Sequence, residues 1–128
     1  MQTFKKSLSP KHCIIAGGRD FKDYAFMQTC MQTVLSKYQI ASVISGTAKG
    51  ADALGERWAQ ENDISISRKP ADWDTYGTRA GFLRNTEMAE EAGSNGLLCA
   101  FWDGKSKGTK HMIDIAKSKG LTVLIFSY

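Results

Sequence analysis

The sequence predicts the α/β class: a single three-layer domain with a mainly parallel sheet, strand order 3-2-1-4-5, and helices on both faces. Three observations lead there. Short apolar runs alternate along the chain with stretches whose apolar residues recur at helical spacing. Most of these runs are continuous rather than alternating, as strands covered on both faces require. Three of them stop at glycine-rich segments, the punctuation of a strand-to-helix turn.

The first strand is His12-Cys-Ile-Ile-Ala16, ending at Gly17-Gly18. From Phe21 onward Tyr24, Met27, Met31, Val34, Leu35 and Tyr38 fall on one helical face, with Asp20 or Asp23 as the cap. Ile40 to Ser45 is the second strand, and Ala51, Leu54, Trp58 and Ala59 mark the helix after it. Ile64 to Ser67 alternates with period two, as an edge strand with one wetter face does, and Pro70 ends it. Ala71 to Thr78 reads as a loop rich in Asp and aromatics. A helix is predicted from about Arg79 to Ala92, closed by the turn Gly93 to Gly96. Leu97 to Trp102 is the fourth strand, Met112, Ile115 and Ala116 trace the last helix up to Gly120, and Leu121 to Phe126 is the closing strand.

Size and composition bound the rest. At 128 residues the chain suits one domain, divided here into a polar basic leader, 1–11, and a folded unit, 12–128. No apolar run approaches the roughly 20 residues that span a bilayer, and Met1 to Lys11 lacks the apolar stretch of a secretory signal. The expectation is a cytoplasmic protein with no membrane partner. Cys13, Cys30 and Cys99 form an odd set without a C-x-x-C pair and are expected as reduced thiols. The net charge is +4, and lysines gather at both ends: Lys5, Lys6 and Lys11, then Lys105, Lys107, Lys110, Lys117 and Lys119. That balance suits phosphate-bearing partners, although each lysine taken alone is also an ordinary solvated side chain.

In a parallel sheet the loops that follow strands collect on one rim, where ligands bind at the switch in strand order. The loops here are Gly17-Gly18-Arg19-Asp20, Ser45-Gly46-Thr47-Ala-Lys-Gly50-Ala-Asp52 and Asp103-Gly104-Lys-Ser106-Lys-Gly108-Thr109. Glycine lets backbone N–H groups approach a phosphate closely, and a helix N-terminus adds partial positive charge. Hydroxyls from Ser45, Thr47, Ser106 and Thr109 and the guanidinium groups of Arg19 and Arg84 supply further donors. The middle loop is one residue short of a Walker A motif and continues Ala51-Asp52 where Lys-Ser/Thr belongs; the first loop lacks G-x-G-x-x-G. Neither a P-loop NTPase nor a dinucleotide cofactor is indicated.

Taken in order and spacing, Gly17-Gly-Arg-Asp-Phe21, Ile44-Ser-Gly-Thr-Ala-Lys-Gly-Ala-Asp52, Pro70-Ala-Asp-Trp73, Arg84-Asn85 and Phe101-Trp-Asp-Gly-Lys-Ser-Lys-Gly-Thr109 resemble the SLOG superfamily, in particular its small stand-alone branch related to YspA and YpsA. The resemblance runs from about Cys13 to Phe126. It implies a Rossmann-like fold and a nucleotide or nucleotide-derived ligand. It also reaches three kinds of relative: LOG-type enzymes that hydrolyse nucleoside monophosphates at the N-glycosidic bond, SLOG domains that sense nucleotide signals, and DNA-processing proteins that bind single strands. LOG-type enzymes carry Gly-Gly-x-Gly-Thr-x-x-Glu, and the glutamate is missing after Gly108-Thr109, where Lys110, His111 and Met112 follow. Asp52, Glu56, Asp103 or Glu87 would have to supply a catalytic carboxylate instead.

The leading reading is a nucleotide sensor or sequestering protein in which Gly46 to Asp52 and Gly104 to Thr109 cradle phosphate. Arg19 and Arg84 neutralise it, with Arg79 a weaker candidate, and Asn85 pairs with Arg84 as a ligand contact. Trp102 or Tyr76, with Trp73 near them, would cover base or ribose, or else pack as ordinary core and loop aromatics. The alternatives are a LOG-like hydrolase and a single-strand binder. His12 and His111 stand alone without metal-ligand spacing, so no metal and no cofactor are expected. Glu90-Glu91 reads as a solvated helix end. A homodimer is compatible with the sequence, and bulky replacements of Gly46 or Gly108 are expected to block binding while leaving the fold intact.

Overall fold

The computed structural model describes residues 9–128; most of the basic leader, Lys5 and Lys6 included, lies outside the described residues. Five strands form one sheet: β1 (Lys11–Gly17), β2 (Ile40–Ser45), β3 (Ser65–Arg68), β4 (Leu97–Trp102) and β5 (Thr122–Ser127). Their order is β3-β2-β1-β4-β5, and every neighbouring pair is parallel. The helices are α1 (Tyr24–Lys37), α2 (Ala51–Glu61), α3 (Trp73–Tyr76), α4 (Ala80–Ala92) and α5 (Lys107–Ser118).

Alternation within the apolar strands separates two cores. Cys13, Ile15, Val43, Leu97, Cys99 and Phe101 face α1 and α2, meeting Met27, Met31, Val34 and Trp58. Ile14, Ala16, Ile44, Leu98 and Ala100 face α4 and α5, meeting Met88, Ala89, Met112 and Ile113. A strand buried on both faces has no polar position to spare, which is why β1 and β4 read as continuous apolar runs. The three cysteines are free and buried, with the Sγ atoms of Cys13 and Cys99 3.7 Å apart.

Local chemistry sets the helix starts. Asp23 caps α1, its Oδ1 accepting from the Phe26 N–H at 3.0 Å, so Phe21 is left in the preceding loop, buried against Phe101 at 5.1 Å between ring centres. The loop predicted over Ala71 to Thr78 contains α3, one turn long and capped by Asp72 onto the Thr75 N–H at 3.1 Å. A 3-10 turn over Gly77–Arg79 then leads into α4. Lys11 opens β1 rather than trailing the leader, and its ammonium donates to the Asn95 carbonyl and side-chain oxygens at 2.9 and 2.7 Å. Glu90 and Glu91 are not merely solvated: they pair with Lys119 at 3.5 Å and with Lys69 at 2.7 Å.

The connections after β1 and β2 lie on one face and those after β3 and β4 on the other. The order therefore reverses between β1 and β4, and the C-terminal ends of these two strands splay their loops apart. Among the described residues no helix is long and apolar enough to cross a membrane.

Candidate nucleotide-binding site

At that reversal lies a cleft of about 490 Å3. The loop after β1 contributes Gly17, Gly18, Arg19 and Asp20, the loop after β2 contributes Ala48 and Asp52, and the loop after β4 contributes Asp103, Ser106, Gly108 and Thr109. Trp73 from α3 and Phe82, Arg84, Asn85 and Met88 from α4 form the opposite wall. A second groove of about 530 Å3 adjoins it, lined by Gly46, Thr47, Lys49 and Pro70, and it shares Arg19, Ala48, Trp73 and Arg84 with the first.

The glycines divide into two kinds. A Cβ on Gly17 would run into the Phe101 carbonyl oxygen and sit 2.8 Å from Ala51 Cβ. Gly50, at φ +76°, presses against the Gly18 carbonyl oxygen, and a Cβ there would lie 2.6 Å from the Arg19 carbonyl. A Cβ on Gly46 would lie 2.7 Å from both Arg84 Nη1 and Asp52 Oδ2. These three make room for protein atoms, locking the first two loops together, and the Ala51 N–H donates to the Gly18 carbonyl at 3.1 Å. Gly104 and Gly108 face open space, and Gly108 borders the cleft. The expectation that a bulky residue at Gly46 spares the fold therefore changes: it would collide with Arg84 and Asp52, whereas Gly108 has room.

The N-terminus of α5 is built by side-chain caps. Asp103 Oδ1 accepts from the Lys105 and Ser106 N–H groups at 2.8 and 2.9 Å, which holds its carboxyl below the usual range. Ser106 caps the helix through Thr109, with N–H to Oγ at 3.3 Å. Trp102 Nε1 donates to the Ser106 carbonyl at 3.1 Å, so this ring braces the loop and does not line the cleft. Tyr76 is also outside it. The aromatic faces open to the cleft are Trp73, 49% exposed, and Phe82, 50% exposed. Phe82 escaped the sequence reading because one apolar residue on a helix carries no mark of facing a cleft rather than the core.

Arg84 donates through Nη1 to the Gly46 carbonyl and through Nε to Asn85 Oδ1 at 3.2 Å. Burial pushes its pKa down. Asn85, buried, donates to the Gly108 carbonyl at 3.3 Å and meets His111 Nδ1 at 3.1 Å, linking α4 to α5. The His111 ring rests on Phe82 with centres 4.5 Å apart, and its pKa is pushed down by burial. His12 meets Ser42 Oγ at 2.7 Å on the exposed surface. Arg79 is exposed and outside the cleft.

The carboxylates that the sequence offered for catalysis are sorted by position. Glu56 accepts from Ser45 Oγ at 2.6 Å and pairs with Arg68 at 2.9 Å, in a separate shallow pocket. Ser45 thus spends its hydroxyl inside the fold, also accepting the Thr47 N–H at 3.0 Å. Glu87 is exposed on α4. Asp52 is 5% exposed and lines the cleft; its Oδ2 accepts from the Ala48 N–H at 3.1 Å. Burial pushes its pKa up to about 6, opposed by the Ala48 hydrogen bond and by Arg84. Met112, where LOG-type enzymes carry their glutamate, is an apolar part of the cleft lining. Among the described residues no cluster of His, Cys, Asp and Glu could hold a metal ion.

The family model of the YspA, cpYpsA-related SLOG family matches residues 12–76, which include the first two glycine loops and Trp73. The chain belongs to that family. It is also 36% identical over 123 residues to the Gene 61 protein of Mycobacterium phage D29, an alignment spanning 91% of this chain and 96% of the phage protein. No solved structure matches. Family membership accords with the Rossmann-like sheet and with a ligand related to nucleotides.

Proposed function

We propose that this SLOG protein binds a nucleotide or nucleotide-derived ligand in the cleft between the ends of β1 and β4, as a cytoplasmic sensor or sequestering protein. The observation that carries the reading is convergence: three strand-end loops, the α5 N-terminus, Arg84 and Arg19 meet around one cleft of about 490 Å3. Phosphate is matched by the Lys107 and Gly108 N–H groups, which the caps at the start of α5 leave without a partner among the described residues, and by the two guanidinium groups. Trp73 and Phe82 offer π-faces to a base.

Of the carboxylates that the sequence offered for hydrolysis of the glycosidic bond, Asp52 is the buried one that lines the cleft; Glu56 and Glu87 lie outside it, and Asp103 lines it with Oδ1 bonded to its own loop. The test is calorimetry and thermal shift with a panel of 5′-mononucleotides, with chromatography of the same mixtures for free base. Intact ligand that raises the melting temperature supports sensing, since selective binding to the native state must stabilise it. Release of base that is lost in Asp52→Asn would shift the reading to a hydrolase. Affinity that grows with oligonucleotide length and falls steeply with salt would instead indicate a single-strand binder.

A further inference from the structure

Asp52 is an unusual group to find in an anion-binding cleft. It sits in the first turn of α2, almost wholly buried, and lines the cleft with Arg19 and Arg84. Its Oδ2 is taken by the Ala48 N–H, and no donor among the described residues reaches Oδ1. Arg84 lies close by, yet its Nη1 donates to the Gly46 carbonyl and its Nε to Asn85, and Asp52 has no ion pair among the described residues. Since no buried side-chain oxygen lacks a hydrogen-bond partner among the described residues, this oxygen is open to the cleft, and a ligand that covers it has to supply a donor.

An ionised carboxylate repels phosphate, which is matched instead by the arginines and the α5 N-terminus. A base belongs to the half-exposed rings of Trp73 and Phe82, carried by α3 and α4 rather than α2. What joins base to phosphate is the sugar, whose donors are hydroxyls. On the proposed reading that this cleft holds a nucleotide, we infer that Asp52 is its specificity-determining residue, the free carboxylate oxygen accepting from the ribose hydroxyls. The cleft therefore selects ribonucleotides over 2′-deoxyribonucleotides. A deoxy ligand leaves the oxygen short of that donor, and losing one hydrogen bond to a charged acceptor weakens binding about tenfold or more.

The experiment is calorimetric titration of the full chain with AMP, GMP, CMP and UMP and with their 2′-deoxy counterparts, repeated for Asp52→Asn and Asp52→Ser. The expected result is a ribose preference of about tenfold or more for the nucleotide that binds, falling to within about threefold in Asp52→Ser and reduced in Asp52→Asn, whose amide oxygen can still accept; the ratio of the two series, not either affinity, is the readout. A merely structural role for Asp52 would lower both affinities together and leave the ratio unchanged. Equal binding of the two series by the unaltered protein overturns the inference and leaves nucleotide binding standing. A ratio that persists in both variants overturns the assignment to Asp52. Binding of neither series removes the nucleotide reading, and this inference with it.

Discussion

Arg84, one turn into α4, donates its Nη1 hydrogen to the backbone carbonyl of Gly46 at the end of β2, so the helix that walls the cleft is tied to the loop that floors it. The bond crosses the face of the sheet and joins residues 38 positions apart in the chain. It also fixes the guanidinium where the cleft and its neighbouring groove meet.

Replacing Arg84 by Ala removes the tie and, on the proposed reading, a charge-assisted donor to phosphate. Affinity for a binding nucleotide should fall by about 10- to 100-fold, the range expected for hydrogen bonds to charged groups. Arg84→Lys should recover only part of the loss, because a single ammonium cannot reach Gly46, Asn85 and ligand together. Calorimetry on the three proteins checks this, and equal affinities would remove Arg84 from the site.

Asp52 gives a pH signature that needs no ligand. Its carboxyl is pushed up to about 6 in the fold against the ordinary aspartate value of 3.8, mainly by burial. A raised folded-state pKa means that its contribution to stability is full below the unfolded value and is lost as pH rises through about 6. Asp52→Asn should therefore be more stable than the parent at pH 8, by about 1–3 kcal/mol, with the gain gone near pH 4. Urea unfolding at both pH values measures it. A variant less stable at pH 8 would show that the carboxylate is held by more than Ala48.

The sheet was legible because burial on both faces forces continuous apolar runs, and β1 and β4 declare themselves in that way. α3 was not, since a single capped turn has no periodicity to detect. The three glycine loops lie on one rim as expected, yet the sequence could not say which glycines abut protein atoms and which face open space. Gly17, Gly46 and Gly50 give way to Phe101, Arg84 and the Gly18–Arg19 backbone, atoms that only the folded chain brings there. Glu56, one turn along α2 from Asp52, is held by Arg68 of the neighbouring strand, a contact that carries no mark in the sequence.

Tyr128 closes the rim from the far end of the chain. Its hydroxyl donates to Asp20 Oδ1 at 2.7 Å while its ring packs edge-on against Phe21, centres 4.9 Å apart. Tyr128→Phe keeps the ring and removes the tether of the loop after β1. Global stability should change by no more than about 1 kcal/mol, as for a half-exposed hydrogen bond. The amides of Gly18 to Asp20 should exchange faster, and hydrogen-exchange mass spectrometry reads both effects. Unchanged exchange would mean that Gly50 and Ala51 alone hold that loop.

Gly50 and Gly108 separate a glycine that serves the fold from one that serves the cleft. At Gly50 the backbone has φ +76° and a methyl group would collide with the Gly18 carbonyl, so Gly50→Ala faces both a conformational and a steric penalty. It should destabilise by roughly 2–4 kcal/mol, measured by urea unfolding. Gly108 lies in the first turn of α5 with open space beyond it. There Ala improves helix propensity and should stabilise by up to about 1 kcal/mol. Gly108 lines the cleft and a Cβ there meets nothing within 4 Å, so Gly108→Leu should fold with near-normal stability and lose nucleotide binding by more than about tenfold. If Gly108→Leu folds and binds as the parent does, phosphate is not held at the α5 N-terminus, and the groove beside Lys49 becomes the place to look for it.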